Sequence, residues 1–63
     1  MTPTTGHQLR VERVAARISV NAITAAMKVS RTTVWSIERQ AIVRDDQAVA
    51  YRDAIARLSK AAA

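Results

Sequence analysis

Cysteine is absent from this sequence, so neither a disulfide framework nor a thiolate zinc site is open to it, and the single His7 cannot build a metal site unaided. Phenylalanine is absent too, and the aromatic residues are Trp35 and Tyr51 alone. The apolar content therefore comes mainly from Ala, Val and Ile, which suits thin helices packed closely around a small core. No apolar run approaches the roughly 20 residues that a membrane span requires, and no basic stretch followed by an apolar one opens the chain as a secretory signal does. A soluble, cytoplasmic protein without a membrane partner is expected. Its 63 residues make one domain at most, and so small a domain is marginally stable unless something staples it. With disulfides and metals excluded, the expected staple is a second copy of the chain.

Acidic residues are scarce as well. Five Asp and Glu face ten Lys and Arg, a net charge of +5, which is the balance expected of a protein that meets a polyanion. The distribution is sharper than the total. Residues 1–44 hold Arg10, Arg13, Arg17, Lys28, Arg31, Arg39 and Arg44 against Glu12 and Glu38, a net of +5. Residues 45–63 hold Arg52, Arg57 and Lys60 against Asp45, Asp46 and Asp53 and net zero. The basic character points to a nucleic-acid face in the first two thirds and a different role for the tail, although charge alone also fits a ribosomal or lipid surface.

The chain divides into four helical segments and no strand-like alternation. Residues 1–5, with Pro3, form a flexible arm. Thr5 and Gln8 have the spacing of a capping box, and a first helix runs from about Gly6 to Arg17. Its apolar residues Val11, Val14, Ala15 and Ile18 follow the i, i+3, i+4, i+7 spacing of one buried face, with Leu9 on the flank. Ser19 caps a second helix over 20–27, where Ile23 and Met27 face inward. Lys28 and Val29 form a turn. Ser30 caps a third helix from Arg31 to about Arg39, with Val34 and Ile37 inward and Arg31, Thr32, Trp35, Ser36 and Arg39 outward. Ile42 and Val43 tuck a loop against the core. Asp45 and Asp46 suit a helix N-terminus, and the last helix, about 45–61, carries the stripe Ala48, Tyr51, Ile55, Leu58 and Ala62, widened by Val49 and Ala54. That face is broad enough to serve the core and a partner, so Ala48, Tyr51, Ile55 and Leu58 are the expected dimer interface. The reading is all-α, with four to five helices in one domain over 6–63.

Nothing here assembles a catalytic group. Ser30 and Ser36 lack a positioned base, His7 reads as an early helix residue, and Asp45 and Asp46 read as helix-start residues rather than cation ligands. No enzyme activity, metal, cofactor or small-molecule ligand is expected.

The stretch Ile18–Arg39, ISVNAITAAMKVSRTTVWSIER, closely resembles the helix-turn-helix of the XRE family of phage lambda-type repressors and Cro proteins. The signal lies in Ile18-Ser19, Ile23, Met27, Val29-Ser30-Arg31, Thr33-Val34 and Ile37-Glu38-Arg39, and the register extends over roughly 9–44. The resemblance implies a lambda-repressor-like DNA-binding domain with its helix-turn-helix at 20–39, the third helix in the major groove and the second across the backbone. Carried over by position, it implies base contacts from Arg31, Thr32 and Ser36, with Ser30 and Trp35 at the edge. It implies phosphate contacts from Ser19, Arg39, Arg44, Arg10 and Lys28, and a structural ion pair between Arg13 and Glu38. The implied partner is double-stranded operator DNA, bound as a homodimer on an inverted repeat by a nucleoid-associated regulator that represses transcription. Val20 stands where the family has a phosphate-binding Gln, Thr24 where it has Ala, Lys28 and Gln40 where it has Gly, and Glu12 at an often apolar position. Trp35 fits either a contact with DNA or closure of the small core, and the Arg10, Arg13, Arg17 cluster fits either phosphate binding or a solvated face. A protein-binding module that has lost DNA contact, and nonspecific nucleic-acid binding, remain the competing readings.

Overall fold

The computed structural model describes residues 3–62, and the side chains of 3–61. Met1, Thr2, Ala63 and the Ala62 side chain lie outside the described residues, and with them the start of the expected arm and the last position of the expected stripe. The described residues are all-α, with four helices in the order α1 (Gly6–Ala15), α2 (Val20–Met27), α3 (Arg31–Arg39) and α4 (Asp45–Ala62).

Helices α1, α2 and α3 each start where a side chain can take over an orphan amide. Thr5 Oγ1 accepts from the Gln8 amide at 3.0 Å while Gln8 Oε1 accepts from the Thr5 amide at 2.9 Å, completing the capping box. Ser19 and Ser30 cap α2 and α3 by accepting from Ala22 and Thr33. Helices α1 and α2 both stop on a left-handed residue, Arg17 and Lys28, each with φ 58°. The amides that follow close the turns, Ile18 onto the Arg13 carbonyl and Val29 onto the Thr24 carbonyl, each at 3.1 Å. Neither left-handed residue is glycine, at a cost of about 1 kcal/mol each. Gln40 ends α3 in an extended conformation (φ −70°, ψ 135°), so the glycine of the family pattern is not needed there.

The core consists of Leu9, Ile18, Ile23, Val34, Ile37, Val43, Ala48, Tyr51 and Ala54, with Met27, Ile55 and Leu58 packed partly against it. Three expectations are corrected by it. Most of the α1 stripe faces the other way: Val11, Val14 and Ala15 are exposed, the first two at 51% and 56%, whereas Leu9, expected on the flank, is fully buried; Ile18 alone of the stripe lies in the core. Periodicity misled because two positions on the inner side of α1 are charged, Glu12 and Arg13, each neutralised by an ion pair to another helix. Of the loop pair, Val43 is buried and Ile42 is exposed. The arm is anchored from Thr4 onward: the Thr4 carbonyl accepts from the Val43 amide at 2.8 Å, and Arg52 reaches the Thr4 hydroxyl at 3.4 Å.

Helix α4 differs from expectation in use rather than position. Its residues Ala48 and Tyr51, expected at a dimer interface, are buried in the chain's own core, and Ile55 and Leu58 are half-buried against it. A single long helix has to cover α1 and α2 together, so its apolar stripe is occupied within one copy. No helix among the described residues is long and apolar enough to cross a membrane.

Candidate nucleic-acid interface

Helix α3 sorts its residues cleanly by side. Val34 and Ile37 point into the core, and Arg31, Thr32, Trp35, Ser36 and Arg39 are all exposed. The side chains of Arg31, Thr32 and Ser36 make no hydrogen bond among the described residues. Trp35 is 46% exposed, so the core-closing alternative for it is set aside. Ser30 is less available: its Oγ accepts from the Thr33 amide at 3.2 Å and lies 3.0 Å from the Thr33 hydroxyl. Ser19 Oγ likewise accepts from the Ala22 amide at 3.1 Å, but its hydroxyl proton stays free to donate outward. Val20 is half-buried and packs partly against the core.

Four of the five acidic side chains, Glu12, Glu38, Asp46 and Asp53, pair with Arg52, Arg13, Arg44 and Arg57 respectively. Arg44, expected on phosphate, is paired with Asp46 at 3.0 Å at the acidic start of α4, both side chains largely exposed. Arg10, Arg17, Lys28, Arg31 and Arg39 have no carboxylate partner among the described residues, and all five belong to α1–α3 and their junctions. Lys60 is the corresponding residue on α4. Pairing therefore leaves five uncompensated cations on α1–α3 and their junctions, matching the +5 that residues 1–44 carry in the sequence. Two hollows open on this side: one between α1 and α3, lined by Arg10, Arg13, Trp35, Glu38 and Arg39, the other on α3, lined by Thr32, Trp35, Ser36, Arg39 and Gln40. No group of three or more metal-ligating side chains occurs among the described residues.

What fixes α3 in place is a three-helix polar knot. Arg13 Nε on α1 donates to Glu38 Oε2 on α3 at 3.0 Å, with side-chain exposures of 12% and 7%. Arg13 also donates to the Ile18 carbonyl at 2.9 Å, and Tyr51 on α4 donates its hydroxyl to the same Glu38 oxygen at 2.6 Å. The family resemblance implies the Arg13–Glu38 pair but not its third member, because spacing marks Tyr51 only as a residue of the apolar stripe. Burial works against the Arg13 charge, yet the Glu38 carboxylate, helped by Tyr51, offsets it and leaves the guanidinium pKa raised. Burial also pushes the Tyr51 phenol well above its ordinary value, reinforced by Glu38 and only partly opposed by Arg13.

The Tyr51 shift has a consequence in alkali. The folded protein keeps the phenol proton at pH values where the unfolded chain loses it, so the unfolded state binds fewer protons above about pH 10. Stability is expected to be unaffected by this group below that pH and to fall above it, by up to about 1.4 kcal/mol per pH unit. Urea midpoints from pH 8 to 11 would show the decline, and Tyr51→Phe should flatten it. An equal decline in both proteins would assign it elsewhere.

No family model, curated protein or solved structure matches the chain.

Proposed function

We propose that the protein is a sequence-specific DNA-binding regulator of transcription, in which α2, the Lys28–Ser30 turn and α3 act as a helix-turn-helix of the lambda-repressor-like class. The observation that carries this reading is α3 itself: an outer face of Arg31, Thr32 and Ser36, all exposed and without internal partners, set among cations that no carboxylate neutralises. With α3 in the major groove, its first turn meets base edges. Arg31 can grip guanine through two hydrogen bonds, a pair that discriminates by about 1–3 kcal/mol against the wrong base. Thr32 and Ser36 donate or accept beside it. Ser19, Lys28 and Arg39 bind phosphate and set affinity rather than sequence. Ser30, committed to its cap, and Arg44, paired with Asp46, become supporting residues.

Acting as a homodimer, the protein would bind an inverted repeat with half-sites roughly 34–36 Å apart and repress by occupying the promoter, in the cytoplasm at the nucleoid. Since Ala48 and Tyr51 are core residues, such a dimer would use exposed apolar side chains such as Ile42 and Val49 instead. The test is selection of bound duplexes from a random pool at about 0.15 M salt, with enrichment of one sequence expected. A second reading, a protein-binding module on the same scaffold, draws on the apolar Val20 and on the exposed Val11 and Val14. Selection that enriches nothing would favour it.

A further inference from the structure

Trp35 is the chain's single tryptophan, and it lines both hollows. A large indole left half in solvent is a feature that core packing does not explain. In the hollow between α1 and α3, Arg13 and Glu38 hold each other, so the charge available to a ligand comes from Arg10 and Arg39. Neither has a carboxylate partner among the described residues, and both line the hollow with Trp35. A flat apolar ring lining the same hollow as two uncommitted guanidinium groups suits a ligand that joins an apolar ring to a negative charge. A deoxyribose with its phosphate has that form. A stacked base would offer a ring as well, but within a duplex its faces are already covered by its neighbours, so the indole meets the sugar edge instead.

We propose that the α1–α3 cleft seats the sugar–phosphate of one DNA strand, with Arg10 and Arg39 on the phosphate and the Trp35 indole against the deoxyribose. The inference rests on the reading of α3 as the groove helix and joins Arg10 on α1 with Trp35 and Arg39 on α3 in one strand seat. It also gives Trp35 a role distinct from that of Arg31: it fixes the position of the strand and leaves base identity unread. Because Arg39 lines both hollows, one side chain links the strand seat to the base-reading face. Rotation of α3 relative to the backbone is thereby restricted.

The experiment uses the intrinsic fluorescence of Trp35 and its quenching by acrylamide, with duplex affinity measured in parallel by anisotropy of a labelled duplex. Saturating duplex is expected to shield the indole. Arg10→Ala should reduce the slope of log K against log salt by about 0.9, and Trp35→Ala should weaken binding about tenfold, equally for a selected and a scrambled duplex. Trp35→Phe, which keeps a ring, should retain most of the affinity. Duplex binding that leaves the indole as quenchable as in the free protein overturns the clamp, and so does a Trp35→Ala loss confined to the selected duplex, which would make the indole a base reader. Shielding by a free deoxynucleoside monophosphate at the same concentration also overturns it, by revealing a small-ligand pocket. Absence of all duplex binding would instead remove the reading of α3 on which the clamp rests.

Discussion

Glu38→Ala is expected to leave the protein largely unfolded at 25 °C. The carboxylate it removes is the acceptor for both Arg13 and Tyr51, at 3.0 and 2.6 Å. Arg13 would keep its carbonyl bond to Ile18, but its charge would stand without a counter-ion at 12% exposure, and the Tyr51 hydroxyl would have no acceptor. Breaking a buried pair from one side costs about 3–5 kcal/mol, and an orphaned buried hydroxyl adds about 1–3 kcal/mol. A single core of this size supplies roughly 3–5 kcal/mol in all, so the loss equals or exceeds the total. Urea denaturation followed by far-ultraviolet circular dichroism reads it directly. Replacing all three members with apolar residues of similar shape, Arg13→Met, Glu38→Leu and Tyr51→Phe together, should recover much of the stability. The charge left unpaired does the damage, not the absence of the pair itself. Wild-type stability in Glu38→Ala would mean that the knot is solvated in solution.

Gly6→Ala is the second large effect, and its sign runs against the usual rule. An alanine in place of a helical glycine ordinarily gains about 0.4–1 kcal/mol. Here α1 begins hard against the end of α3. A Cβ on Gly6 would lie 2.5 Å from the Glu38 carbonyl oxygen and 2.6 Å from its carbon, and would overlap the Ile37 carbonyl oxygen. All three atoms are backbone, so no side chain can swing aside. The Gly6 amide also donates to the Gln40 carbonyl at 2.9 Å, which holds the two helices at this distance. Overpacking of this kind costs about 3 kcal/mol, several times the propensity gain, so Gly6→Ala should denature at far lower urea than wild type. His7→Ala, one residue along and exposed, should stay within about 0.5 kcal/mol. A stabilised Gly6→Ala protein would show that α1 can move away from α3.

Local signals carried most of the fold. Thr5, Ser19 and Ser30 occupy the caps that their chemistry suits, the inward pair Val34 and Ile37 was plain from spacing, and the acidic pair Asp45–Asp46 opens the last helix as read. What failed was non-local. On α1 the inward side is occupied by Leu9, Glu12 and Arg13, and periodicity of apolar residues cannot anticipate that two charges will be neutralised by partners 25 and 40 positions away. The assignment of Ala48 and Tyr51 to a partner failed for a related reason: the stripe was visible, but which copy's core it serves depends on how much of α1 and α2 it must cover. Gly6 left only a faint trace, a glycine at a helix start where alanine would be the better helix former. Among the candidate contact residues, the outward side of α3 was legible because it follows from one helix alone. The pairing of Arg44 with Asp46, and the isolation of Arg10 and Arg39, required tertiary structure.

The measurement that bears most directly on the account is selection of duplexes run in parallel with wild type and Arg31→Ala. Arg31 is exposed and unpaired, so its removal leaves the fold intact and isolates the contact. Wild type should enrich an inverted repeat, and Arg31→Ala should lose one base preference in each half-site while keeping the rest, a discrimination of about 1–3 kcal/mol. An identical motif from both proteins would remove Arg31 from base reading, and a pool left unenriched by wild type would contradict the assignment of α3 to the DNA groove.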